Sequence, residues 1–457
     1  MIKYRKPGVY IKALSSLPQS VAQVETAIPA FIGYTEKGPD EPIRISSIGD
    51  FKTIFGGPNN ELDPFVVDER GDVTSPEIAV TPDFRLYYML EMFFANGGGD
   101  CYIIRVGGYG DGISNSEMQD GLNLLEKEDV PTLILFPDAA SPKNINEPYD
   151  LFNSALDQCA AGNDRFLICD VKESDTEINP VWEAAFAFRY GIGSNNLMFG
   201  AAYYPDLITT LGYHYDESEI NITLNGNSNW VLRNNSDPDK SLYHTENGKY
   251  RDAYNRIKSK IESVRLVLPP SGAIAGIYAR VDRSRGVWKA PANVSLNRVS
   301  APNVNIDHNE QQDLNVTQSG KSINAIREFK ERGVMVWGAR TLAGNDNEWR
   351  FIPVRRFFNM VETSVKNAIG RFVFEPNDAN TWVKIKTMIE NYLTTLWRSG
   401  ALRGTTPNEA FFVKVGLGET MSQDDVLNDK LIVEIGMAAV RPAEFIIFRF
   451  SQKMMKS

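Results

Sequence analysis

A multidomain chain of mixed α+β and α/β class is predicted, and three observations predict it. Strands and helices alternate singly from residue 132 to 204, the rhythm of a parallel sheet with right-handed crossovers. A run of amphipathic helices and short strands follows Ser322. A lone strand stands near each end, Gly8-Val9-Tyr10-Ile11-Lys12 and Phe445-Ile446-Ile447-Phe448-Arg449-Phe450. Strands without a neighbour in sequence read as connectors between subunits, which points to an assembly protein rather than an enzyme.

The 457 residues allow two to four domains at the usual ~100–200 residues each. With 42% hydrophobic and 23% charged residues the composition is that of a folded protein, and sizeable cores are within reach. A net charge of −10 argues against non-specific nucleic-acid binding. The three cysteines, Cys101, Cys159 and Cys169, form no CxxC pair, and their odd number argues against a disulfide framework and for a reducing compartment of synthesis. Met1 to Pro7 lacks an apolar signal region, and no apolar run reaches the length of a membrane span. Synthesis in a reducing compartment without a signal peptide, and no direct membrane insertion, are expected.

Each element has its local reason. Residues 1–20 read as an arm carrying one strand, opened by Pro7-Gly8. Ala30 to Tyr34 is a short apolar strand, Asp83 to Ala95 a helix stopped by Asn96-Gly97-Gly98-Gly99, and Cys101 to Val106 a buried strand. Thr132–Phe136, Phe166–Asp170 and Leu197–Tyr203 are strands, separated by helices Tyr149–Ala161 and Val181–Tyr190. Between 206 and 250 the chain turns polar, and Asn225-Gly226 marks a hairpin in what reads as a surface insertion. Ser322 suits the cap of a helix over 323–332 that Gly333 would stop. Val334–Trp337 and Trp349–Val354 read as strands, and 355–369 and 380–398 as helices with single apolar stripes. Phe411–Val415 and Lys430–Val440 read as strands before the terminal one.

The search for chemistry finds little. His214, His244 and His308 lie in polar segments without a metal-ligand spacing. Ser319-Gly320-Lys321-Ser322 resembles the tail of a phosphate loop, but Asn315 stands where the motif needs glycine. Asn96 to Asp100 runs from helix to strand, the reverse of a nucleotide loop. No GxSxG elbow is present. No catalytic residue and no cofactor is expected. Residues 321–403 hold 14 Lys and Arg against 8 Asp and Glu, a basic C-terminal region in an acidic chain.

Pro7 to Ile11, Thr26 to Thr35, Phe93 to Gly99 with Tyr102 to Val106, Ser271 to Asp282 with Arg285 to Asn293, Val336 to Thr341 and Pro442 to Ile446 together resemble the contractile tail sheath proteins of phages, tailocins and extracellular injection systems. The resemblance implies a structural subunit of a contractile injection system, polymerised as stacked hexameric rings around an inner tube. It also implies partners in baseplate and cap proteins and in sheath paralogues. A phage tail sheath is the close alternative; an α/β hydrolase or a tube or baseplate component are remoter ones.

The domains then read as an N-terminal linker arm 1–20, an outer α/β sheath region 21–320 with the insertion at about 206–250, a tube-facing α+β sheath core domain 321–442, and an exchanged strand 443–457. Val9, Tyr10, Ile11, Ile446, Phe448 and Phe450 are the candidate strand-exchange residues. Lys384 and Lys386, on the polar side of helix 380–398, are the tube-facing candidates.

Overall fold

The computed structural model describes residues 20–445 except 61, 77, 79, 142, 143, 145, 146, 175, 177, 246 and 247. Val9, Tyr10, Ile11, Ile446, Phe448 and Phe450 therefore lie outside the described residues. The chain is of mixed α/β class and divides into two compact units, a larger one of Glu25–Met360 joined by the segment from Arg441, and a smaller one built around Val361–Val440.

The larger unit is organised by a nine-stranded sheet. Its middle is parallel: Cys101–Gly107, Pro29–Tyr34, Leu133–Leu135, Phe166–Asp170, Gly200–Tyr204 and Ile323–Phe329 lie side by side in that order. Ile43–Ile45 closes one edge antiparallel; Gly333–Val336 and Val294–Ser295 close the other. Alternate residues feed two cores. Phe31, Ile103, Leu133, Leu135, Phe166 and Ile168 enter one; Ala30, Ile32, Ile104, Ile134, Leu167 and Cys169 enter the other. Period-two side-chain alternation with apolar residues at both phases is what a sheet covered on both faces requires.

Helices Leu86–Ala95 and Ser271–Arg285 pack together within the first core. Gly272 and Gly276 make that approach possible. A Cβ on Gly276 would lie 2.4 Å from the Phe93 carbonyl oxygen, and one on Gly272 2.6 Å from that of Met89. Such contact distances exclude any side chain at either position unless backbone moves.

Several sequence expectations are corrected. Residues 323–332 form no helix. Ile323–Phe329 is a strand, parallel to Gly200–Tyr204 and antiparallel to Gly333–Val336. Pairing on both sides supplies more than local propensity could, and Gly333 (φ 72°) serves the hairpin turn rather than a helix stop. The strand expected at 349–354 is reduced to a single bridge, Arg340 with Phe351, because helix Ile352–Ile369 begins there. The hairpin at Asn225-Gly226 exists, but its strand Asn221–Leu224 pairs with Phe65–Val67, and Ile220, Ile222 and Leu232 are buried in the first core.

In the smaller unit, helix Ala379–Arg398 buries Ile385, Met388, Ile389, Tyr392, Leu393 and Leu396. Asp378 caps it, its Oδ1 accepting from the Thr381 amide at 3.0 Å. Strands Phe411–Lys414 and Glu434–Met437 form an antiparallel pair, and the first of them packs on this helix.

Candidate functional site

The terminal arms expected from the sequence would need an anchor at each root and an acceptor on a neighbouring copy. Near the N-terminal root, residues from three distant segments meet. Arg356, in helix Ile352–Ile369, is buried and donates from Nη1 and Nη2 to the Asp282 carboxylate at 3.1 and 2.5 Å. The same Nη2 donates to the Thr26 carbonyl at 2.8 Å, and Thr26 Oγ1 donates to Asp282 at 2.6 Å. The guanidinium lies 4.4 Å from the centre of the Tyr278 ring. Charge, hydrogen bonds and a ring face together satisfy ions that burial alone would expel.

A second clamp holds the C-terminal root. Arg340 Nε and Nη2 grip Glu444 at 2.9 and 2.6 Å, while Nη1 donates to the Gly344 carbonyl at 2.9 Å. Arg340 is itself fixed by Asn324, whose Oδ1 accepts from its amide at 2.8 Å and whose Nδ2 donates to its carbonyl at 2.8 Å. Arg441 adds a bond to the Asn347 carbonyl at 2.7 Å. Phe445 follows beside an open groove lined by His308, Gln311, Gln312 and Val316. Both clamps lie in the larger unit.

The smaller unit carries a strand pair of its own. In its two-stranded sheet Phe411 and Val413 are buried, while Phe412 and Lys414 face outward. Phe412 stands opposite Gly436, over which its ring lies close. Among the described residues no further strand pairs with this sheet, and a single antiparallel bridge of Leu402 with Ala439 lies just past Met437. An isolated strand pair is marginal in water, and open edges invite another chain.

The expected tube-facing lysines are on helix Ala379–Arg398: Lys384 is exposed and Lys386 half-buried, with exposed Val383 beside them. Their helix packs on strand Phe411–Lys414, so the lysines and that strand pair belong to the same unit.

The parallel sheet itself explains why a ligand site is hard to find. Five strands in the order Cys101–Gly107, Pro29–Tyr34, Leu133–Leu135, Phe166–Asp170, Gly200–Tyr204 put a topological switch between the second and third. In open α/β sheets ligands bind beyond the strand ends at such a point. Here Asp138 fills it, accepting from the Tyr34 amide at 2.9 Å and the Arg85 amide at 2.6 Å. Burial pushes the Asp138 carboxyl up to about 6, against those amide bonds. Nearby Asp170 accepts from the Ser271 amide at 2.8 Å and its hydroxyl at 2.6 Å, and burial again raises it to about 6. Burial likewise raises Glu173 and Asp206. All three cysteines are buried thiols whose pKa burial raises. Lys321, from the phosphate-loop lookalike, donates to the Arg189 carbonyl, and Ser322 donates to Asn315 O at 2.6 Å.

Sequence reasoning missed the two clamps. Thr26, Asp282, Arg340 and Glu444 do fall inside the quoted sequence blocks, but pairing across 74 and 104 positions leaves no local pattern.

Comparison with known proteins adds to this geometry. The phage tail sheath protein central domain matches residues 111–342, and the phage tail sheath C-terminal domain matches residues 344–453. The sheath chain of the extracellular contractile injection system PVC, in its contracted state, is 30% identical, with a TM-score of 0.66 over 99% of this chain and 99% of that one. The contracted helical sheath of the anti-feeding prophage is 32% identical, with a TM-score of 0.65 over 99% and 100%. The tail sheath protein of Vibrio phage KVP40 is 24% identical over 212 residues, 46% of this chain and 30% of that protein. The chain thus spans under a third of the phage protein's length.

Proposed function

We propose that this chain, which belongs to the phage tail sheath family and is a structural sheath subunit rather than an enzyme, polymerises as stacked hexameric rings around an inner tube and contracts to drive that tube through a target envelope. The observation that carries the reading is the full-length likeness to sheath subunits of injection systems, at 30% and 32% identity. That likeness favours an injection system over a phage tail, whose curated relative is matched over 30% of its length.

The mechanism follows from an unfinished sheet and two clamped roots. Residues around Val9, Tyr10 and Ile11, and around Ile446, Phe448 and Phe450, extend as strands onto the Phe411–Lys414 and Glu434–Met437 pair of neighbouring copies. Backbone hydrogen bonds give the joint its strength, and alternate side chains give it register. The clamps at Thr26 and Glu444 tie these strands to the larger unit, so neighbours stay linked while rigid bodies turn.

Contraction is then a switch between two packings of one lattice, the extended one metastable. New lateral burial of a few hundred Å² of apolar surface per subunit, at ~25 cal/mol per Å², supplies several kcal/mol each, summed over many copies. The tube contact has to be weak enough to release, which suits exposed charges such as Lys384. Baseplate and cap proteins bound the lattice at its ends, and sheath paralogues are further partners. The subunit works within a phage tail-like particle.

Electron microscopy of the purified chain tests this. Striated hollow cylinders are expected, and deletion of residues 1–14 or of 443–457 should leave a folded subunit that forms no long cylinders. Normal cylinders from either truncation would reject the connector role.

A further inference from the structure

Helix Pro180–Gly191 buries Val181, Ala184, Ala185 and Phe188 on one side. On the other, Trp182, Phe186 and Tyr190 recur every fourth residue, 53%, 54% and 86% exposed, with Ile178 exposed just before them. The rings form a continuous stack. Trp182 and Phe186 have centroids 5.1 Å apart at 15°, and Phe186 and Tyr190 lie 6.4 Å apart at 17°. Residues four apart share a helix face, so the spacing aligns all three.

Two charged residues flank the stack, the half-buried Glu183 and Arg189. Arg189, within the same turn, gives Nη1 to Asp313 at 2.9 Å, Nη2 to the Asp313 carbonyl at 2.6 Å and Nε to the Lys321 carbonyl at 3.1 Å. Those bonds also brace the helix end. Large aromatic side chains on a braced helix lose little conformational freedom on docking, and aromatic surface is enriched at the centre of interfaces.

We propose that this aromatic stack is a contact surface for a second copy of the chain within the sheath lattice; the proposal rests on the polymerisation argued above. The area decides the occupant. From the exposed fractions, the three rings offer roughly 400 Å² of aromatic surface at 150–250 Å² per ring. A stable pair of proteins needs about 800 Å² per partner. Alone the stack cannot hold a dimer, so the free subunit stays soluble. In a lattice the arms have already brought copies together, and the second contact becomes effectively intramolecular. A surface of this size is therefore made where many copies are tethered, and its occupant is another copy.

Hydroxyl-radical footprinting at single-residue level tests it on the intact chain, as free subunit and as cylinders polymerised from this chain alone. Oxidation of Trp182, Phe186 and Tyr190 should fall about tenfold on polymerisation. The triple variant Trp182→Ser, Phe186→Ser, Tyr190→Ser should keep the free subunit's melting temperature and raise the concentration needed for polymerisation by about tenfold or more. Cylinders in which the three rings oxidise at free-subunit rates overturn the proposal and leave the sheath reading intact. Protection that appears only when tube or baseplate proteins are added overturns the second copy as occupant. Failure to form cylinders under any condition overturns both.

Discussion

Replacing Glu444 with alanine removes one half of the C-terminal clamp and leaves the other half inside the protein. The Arg340 side chain is 6% exposed and that of Glu444 19%. Breaking a buried ion pair by removing one partner costs about 3–5 kcal/mol, because the remaining ion stays unpaired away from water. Arg340 keeps its bond to the Gly344 carbonyl, which places the cost at the lower end, about 3 kcal/mol. At about 1.4 kcal/mol per factor of ten, the detached fraction of the root rises about 100-fold. Arg340→Ala should cost less, since Glu444 is the partner nearer to water. Amide hydrogen exchange over residues 441–445 reads the effect directly. The expected result is about 100-fold faster exchange there, a smaller change elsewhere, and shorter cylinders in the electron microscope. Exchange within about twofold of the parent chain would refute the clamp, whatever the cylinders did.

Three further outcomes are expected. Gly276→Ala should destabilise the chain by about 2 kcal/mol despite alanine's better helix propensity, since its Cβ would meet the Phe93 backbone; a raised melting temperature would refute this. Asp138 and Asp170 titrate near 6 when folded against an ordinary 3.8, so the stability they confer is complete below 3.8 and is lost as pH rises to about 6. Each difference corresponds to about 3 kcal/mol, so the unfolding free energy of the parent chain relative to Asp170→Asn, read by urea titration, should grow by about that amount from pH 7 to pH 4, and a constant difference would refute the burial argument. Reversing Lys384 and Lys386 to glutamate should weaken co-sedimentation of tube with sheath while cylinders of the chain alone persist; unchanged co-sedimentation would remove these residues from the tube contact.

How much was legible depended on how local the deciding contacts are. Strands Leu133–Leu135 and Phe166–Asp170 announce themselves as short apolar runs, and helix Ala379–Arg398 as a single stripe ended by Gly400. The Asn96-Gly97-Gly98 stop works as read, with the Gly98 amide returning to the Phe93 carbonyl at 2.9 Å. Strand Ile323–Phe329 was misread because its apolar spacing fits a helix equally well, and its state is set by Gly200–Tyr204 far upstream and Gly333–Val336 immediately downstream. The pairing of Asn221–Leu224 with Phe65–Val67 spans far more chain than any periodicity can report. Of the site, the lysines of helix Ala379–Arg398 were legible as a polar face. The clamps were not, because an arginine that will meet a carboxylate across the sequence looks like any surface arginine. The spacing of Trp182, Phe186 and Tyr190 was visible too, but only packing of Val181 and Phe188 tells which side of that helix is left in water.

The carboxylate of Asp138 has one more consequence. Folds with this strand order ordinarily keep a mouth at the place it occupies and make their living by opening and shutting on a guest. Here the mouth is stoppered by the chain's own side chain, tied to two amides. What remains at that end of the sheet is a place already taken by the chain itself.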